Sequence, residues 1–237
     1  MVSCDARLIW AISGMLQNVA IYPSERDVFY REEADNCYSA ETFILQYTTL
    51  EVPFEIVSSL AFGAITAYAA NLERTVKMFF ISAFNCFCII NCGESVGIMF
   101  CTFFSHVGFS VNLTSVVLSI STILGGIMSL NINDVLQALN HLSPIKYSVA
   151  NLAPYSMRNQ HFTCTDAQRL PDGRCPVETG QQVLQLYNLD KDAAMNVMAL
   201  GICTIAYRIV AYALLKVMRS HGVMEKVRDL GRRLKRK

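Results

Sequence analysis

The chain has 237 residues, of which 53% are hydrophobic and 16% charged, with a formal net charge of +1. A typical soluble domain carries roughly 25% charged residues. The composition therefore excludes an ordinary soluble enzyme, and the balanced charge excludes a nucleic-acid surface, for which a short basic tail is not enough. The shortage of charge is local: between Met78 and Asn133 the only charged residue is Glu94. As one helix that stretch would run about 84 Å, against a hydrocarbon core about 30 Å thick. It must fold back on itself, so the chain reads as an all-α, polytopic membrane helical bundle.

In chain order, residues 1–22 come first. Leu8 to Tyr22 is apolar apart from Ser13, Gln17 and Asn18. Fifteen residues reach about 22 Å, short of a crossing. Arg7 precedes the apolar run as in a signal peptide, but no A-x-A-like cleavage site follows. The segment reads as the second part of a span whose beginning is missing.

Residues 23–38 form a charged knuckle between two oily segments, with Glu25, Arg26, Asp27, Arg31, Glu32 and Glu33 close together. Ser24 and Asp27 have capping-box spacing, which predicts a short helix starting at Ser24. Val28 and Phe29 give it an apolar tip. Such a knuckle is either a solvated loop or a part that receives a push from another domain.

Residues 39–132 hold three spans, predicted at Thr42–Ala70, Met78–Phe104 and Val111–Ile132, with turns at Asn71–Lys77 and Ser105–Gly108. Glu51 and Glu55 lie four apart, hence on one helical face, with Pro53 between them. Charges are costly in lipid, so that face should meet protein or water. Gly125-Gly126 would let two helices approach closely. Asn112-Leu113-Thr114 matches a glycosylation sequon, expected to be unused on the topology below.

Residues 133–158 are less oily. Val135, Leu136, Leu139 and Leu142 have helical spacing, and Ser143-Pro144 breaks the run. A helix-break-helix in the interface, or dipping into it, is predicted. Residues 159–192 form a polar loop. Residues 193–218 are the last span, with Arg208 near its middle, and 219–237 a basic tail. From Lys216 onward nine Lys or Arg face Glu225 and Asp229, which marks the cytoplasmic side. The tail could also bind anionic lipid headgroups.

Counting back from a cytoplasmic tail puts the 159–192 loop outside and the knuckle inside. Cys164 and Cys175 then lie in an oxidising space, and Pro171-Asp172-Gly173 is a turn that would bring them together. A Cys164–Cys175 disulfide is expected, with free thiols or a bridge to another subunit as the alternatives. Cys86, Cys88, Cys92, Cys101 and Cys203 read as small apolar residues. No C-x-x-C pair or zinc-like spacing is present, and no metal is expected. There is no Gly-x-Ser-x-Gly elbow, no H-E-x-x-H and no catalytic Cys/His pair. His106, His141, His161 and His221 read as ordinary polar residues.

Taken together, several motifs resemble the membrane domain of an ABC transporter of the G subfamily (White type), in flavour closest to fungal half-transporters. They are Tyr22-Pro23-x-Glu25-Arg26-x-Val28-Phe29-x-Arg31-Glu32 with Tyr38-Ser39, then Glu51-Val52-Pro53, Cys92-Gly93-Glu94-Ser95-Val96-Gly97 and the Gly126–Asn133 run. Leu142-Ser143-Pro144-Ile145-Lys146-Tyr147 and Cys175-Pro176-x-x-Thr179-Gly180 complete the ordered set. The resemblance implies an ABC-2 type, type V exporter-like membrane domain of six spans, preceded by a nucleotide-binding domain. This chain would hold the second to the sixth span, an incomplete domain. The knuckle would be the coupling helix, residues 133–158 the re-entrant element, and the outer loop the one stapled by a disulfide in relatives. Two membrane domains would face each other, as a homo- or heterodimer, with substrate passing between them.

No G-x-x-x-x-G-K-[ST] occurs, nor a signature motif or Walker B acid, so the chain itself is expected to bind no ATP or other cofactor. ATP and magnesium would belong to the parent transporter, which makes this a truncated product, a fragment, or a subunit that borrows its motor. On this reading Glu25, Arg26, Val28, Phe29, Arg31 and Glu32 couple the nucleotide-binding domain to the spans. Arg208 needs a partner, with Glu51, Glu55 and Glu94 as candidates, for a structural clamp or for a polar relay or substrate contact. The rival classes are an ATP-independent channel or carrier and a non-transporting membrane subunit. An apolar or amphipathic substrate is expected, in the plasma membrane or an internal one.

Overall fold

The computed structural model describes residues 19–33, 35, 37–69, 75–104, 106–125, 140–157, 160–163, 175, 177–187, 189 and 193–219. Seven helices follow among them: α1 over 19–33, α2 Ala40–Ala69, α3 Val76–Phe103, α4 Val107–Leu124, α5 Pro144–Met157, α6 Gly180–Leu186 and α7 Ala193–Arg219. Four of them, α2, α3, α4 and α7, are long and apolar enough to cross a membrane. The expected partial span before Val19, the 126–139 stretch, Cys164 and the tail beyond Arg219 lie outside the described residues.

Helix α3 is the central rod, packed against α2, α4, α5 and α7. In its most apolar stretch 78% of the residues are buried, against 17% in α2, 17% in α4 and 11% in α7. The outer three present Phe54, Val57, Val116, Ile120, Ile202 and Ile205 outward. A lipid solvent gives no hydrophobic drive between helices, so close packing and polar ties must hold them. Both are present. Val19 of α1 presses against Gly97 of α3, where any Cβ would collide with it. Asn151 of α5 donates to Asn85 of α3 at 3.1 Å, and both are buried.

Two backbone carbonyls that proline leaves unpaired are met by side chains of neighbouring helices. Pro23 has no N–H to offer the Val19 carbonyl, and that carbonyl accepts from the Cys101 thiol at 3.7 Å. Pro154 likewise frees the Ala150 carbonyl, which accepts from Asn196 of α7 at 3.4 Å. These ties let both prolines sit inside helices.

The ends of the bundle are distinct. At one end, α1 lies beside the C-terminal end of α3, and Glu41 at the start of α2 accepts from Lys216 near the end of α7 at 2.7 Å. At the other end sit α5 and α6. Pro144 takes the first position of α5, where its missing N–H costs nothing. There Gly180 donates to the Gln160 carbonyl at 2.8 Å, so close to Met157 that a Cβ on residue 180 would strike that backbone. Thr179 and Gln182 cap α6 with a capping box.

Two expectations need correcting. The knuckle helix does not begin at Ser24. Helix is already present at Val19 and runs through Pro23, and the Ser24 hydroxyl donates back to the Ile21 carbonyl at 2.7 Å instead of capping. The turn expected at Ser105–Gly108 is tighter than drawn: α4 starts at Val107 and takes Gly108 into its first turn. The sequon at Asn112 is helical, and its Thr114 hydroxyl is buried and donates to the Ser110 carbonyl at 2.8 Å.

Candidate coupling helix and intramembrane carboxylate cluster

At 100° per residue, α1 divides its side chains among three faces. Tyr22, Arg26 and Phe29 turn inward and are buried. Phe29 stacks on Phe43 at 4.4 Å between ring centroids, and Tyr22 meets Tyr47 edge-on at 5.5 Å. The Arg26 guanidinium donates to the carbonyl of Cys101, one of the last four of α3 and so without a helical donor. Its charge is balanced by Asp27 Oδ1 at 2.8 Å, and its plane lies 5.6 Å from the Tyr30 ring centroid. Arg26 thus fastens α1 to α3.

Ser24, Asp27, Val28 and Arg31 lie on the opposite, exposed stripe. Glu25 and Glu32 occupy the flank toward α2. Tyr38 donates to Glu32 Oε2 at 2.5 Å, and that bond pushes the Tyr38 phenol up to about 12. Partial burial raises the Glu25 carboxyl above the usual carboxylate range. The six residues expected to act together are therefore split: Arg26 and Phe29 inward, Val28 and Arg31 outward, Glu25 and Glu32 on the flank.

The intramembrane charges do converge. Glu51 and Glu55 of α2 and Glu94 of α3 each offer a carboxylate oxygen, all within 4.8 Å of one another. Arg208 of α7 reaches Glu94 Oε2 at 3.8 Å, with its guanidinium carbon 6.0 Å from the Tyr47 ring centroid. Of the three candidate partners for Arg208, Glu94 is the one at ion-pair distance. Glu55 accepts from Asn91 at 2.5 Å. Sequence reasoning placed Asn91 in the span without a role, although Asn91 and Glu94 stand three apart on one face of α3, which was the available signal. Three carboxyl groups share one guanidinium, in a place where a lone charge would cost several kcal/mol.

Glu94 and Cys101 are seven residues apart on α3, two turns and nearly the same face. One rigid helix therefore links the Arg26 anchor to the carboxylate cluster. This arrangement can pass a displacement of α1 along α3. Of the expected disulfide, Cys175 is half-buried, and Cys164 lies outside the described residues.

Residues 6–153 match the family model described as ABC-2 type transporter. Over 204 residues, 86% of this chain and 16% of the relative, the sequence is 38% identical to an uncharacterized ABC transporter ATP-binding protein/permease of Saccharomyces cerevisiae. It is 21% identical to ABC transporter G family member 1 of Dictyostelium discoideum, over 86% of this chain and 26% of that one. It is 25% identical to protein white of Drosophila melanogaster, over 84% of this chain and 29% of that one. The chain thus spans less than a third of the length of each of these relatives. Four apolar spans, one of them a buried central helix, the ordered motifs and these matches lead to one conclusion: the chain belongs to the ABC-2 type transporter family and is a membrane domain of the G-subfamily kind.

Proposed function

We propose that this chain is the membrane-spanning part of an ATP-driven transporter that moves an apolar or amphipathic solute when joined to a nucleotide-binding domain. The observation that carries the reading is the split of α1: Arg26 fastens it to α3, while Asp27, Val28 and Arg31 stay open on the other side. A helix held on one face and free on the other can take a push and deliver it to the spans. The inner placement of α1 and the basic tail, the Cys164–Cys175 staple of the outer loop and the pairing with a second membrane domain belong to the same reading. In it ATP and magnesium stay with the motor domain. The cluster of Glu51, Glu55, Glu94 and Arg208 is the polar joint of α2, α3 and α7, which repacks as the helices move.

The test is ATP-dependent flux in proteoliposomes, with the chain assembled with its nucleotide-binding domain and a panel of apolar and amphipathic fluorescent solutes. Uptake or release that stops when ATP is replaced by a non-hydrolysable analogue supports the reading. Equal flux without the motor domain overturns it in favour of a channel or carrier.

A further inference from the structure

A groove of about 350 Å³ runs between the flank of α1 and α2, from Glu25 to Glu51. That volume is at the lower end of small-ligand sites. Three carboxylates, Glu25, Glu32 and Glu51, and three aromatic rings, Tyr38, Phe43 and Tyr47, line it, and no Lys, Arg or His is among its lining residues. Of the nearby cations, Arg26 is bonded to the Cys101 carbonyl and Asp27, and Arg208 faces Glu94 at 3.8 Å. At the deep end, Glu51 Oε2 is shielded from solvent and has no hydrogen-bond donor. Next to it stands Glu55, 4% exposed, whose Oε1 also lacks a donor and whose carboxylate lies within 4.8 Å of that of Glu51. Buried acceptors without donors are uncommon in folded proteins, and a bound cation is one way to satisfy that of Glu51. Acid groups beside aromatic faces recognise an organic cation through charge and ring quadrupole together. Leu50, at the rim on α2, is exposed, so an apolar tail has a way out along that span.

We infer that this groove binds a small amphipathic organic cation, a protonated or quaternary amine, with its head between Glu25 and Glu51 and its apolar part along the Tyr38, Phe43 and Tyr47 rings. Partial burial already raises the Glu25 carboxyl, so a cation beside it relieves an existing cost. The inference is independent of the transport reading, because binding is measured without nucleotide or motor domain.

The experiment is equilibrium dialysis of radiolabelled benzyltriethylammonium against the full chain in nanodiscs of neutral lipid, with the uncharged carbon isostere as a second probe. The cation is expected to bind and the isostere to bind much more weakly. Glu51→Gln and Glu25→Gln should each weaken cation binding about tenfold, and Glu178→Gln, at the opposite end of the fold, should not change it. Glu25 is exposed, so its variant folds even if the buried Glu51 variant does not. Equal binding of both probes, unchanged affinity in Glu25→Gln, or an equal loss in Glu178→Gln would each overturn the assignment.

Discussion

Arg208→Ala is expected to cost about 3–5 kcal/mol, the usual penalty for removing one partner of a buried ion pair. The guanidinium stands 3.8 Å from Glu94, whose side chain is almost fully buried. Without it, three carboxyl groups within 4.8 Å of one another would face no positive charge. In lipid the chain has little with which to offset that. The measurable result is a collapse of the monodisperse peak in size-exclusion chromatography and a large drop in melting temperature. Exchanging the two charges, Glu94→Arg with Arg208→Glu, should recover much of both, because the pair is restored across the same gap between α3 and α7. A double variant as poor as Arg208→Ala would show that the two residues do not act as a pair.

The second large effect is expected at Arg26. Arg26→Met removes a charged donor from the Cys101 carbonyl and should cost about 1.5–3 kcal/mol. It should also lower ATP-driven flux, since α1 would no longer be fastened to α3. Arg26→Lys retains one donor and should recover part of the stability. Arg31→Ala, on the exposed face, should change stability by less than about 0.5 kcal/mol while lowering flux as strongly. The two arginines thus separate anchoring from docking. If Arg31→Ala lowered the melting temperature and Arg26→Met did not, the faces assigned to α1 would be reversed.

The spans could be read from composition because lipid imposes a simple rule: about twenty apolar residues per crossing. That rule found α2, α3 and α7 within a few residues of their observed bounds, whereas α4 runs Val107–Leu124 and not Val111–Ile132. Ser143-Pro144 reads as the break between two helices, and α5 does start at Pro144. The face shared by Glu51 and Glu55 followed from their spacing, and the need of Arg208 for an acidic partner from the cost of a lone charge in a span.

What was hidden depends on contacts between distant segments. The capping-box spacing of Ser24 with Asp27 points to a helix start at Ser24, and the sequence does not reveal that Cys101 supplies the donor Pro23 lacks. Arg26 reads as one of six coupling residues and not as an anchor, because the orphan carbonyl it caps lies 75 residues away. Its spacing from Tyr22 and Phe29 puts it on their inward face. Gly97 and Gly180 were noticed as parts of motifs. The reason for each, Val19 against one and the Met157 backbone against the other, emerges only in three dimensions.

The central claim is that the exposed stripe of α1 is where a motor domain docks. Its most direct test is photocrosslinking in the transporter assembled with its nucleotide-binding domain, with benzoylphenylalanine placed either at Arg31 or at Phe162. Both positions are exposed, at opposite ends of the bundle. A crosslink to the nucleotide-binding domain from position 31 and none from position 162 is the predicted result. No crosslink from position 31, or one from position 162, would contradict the account.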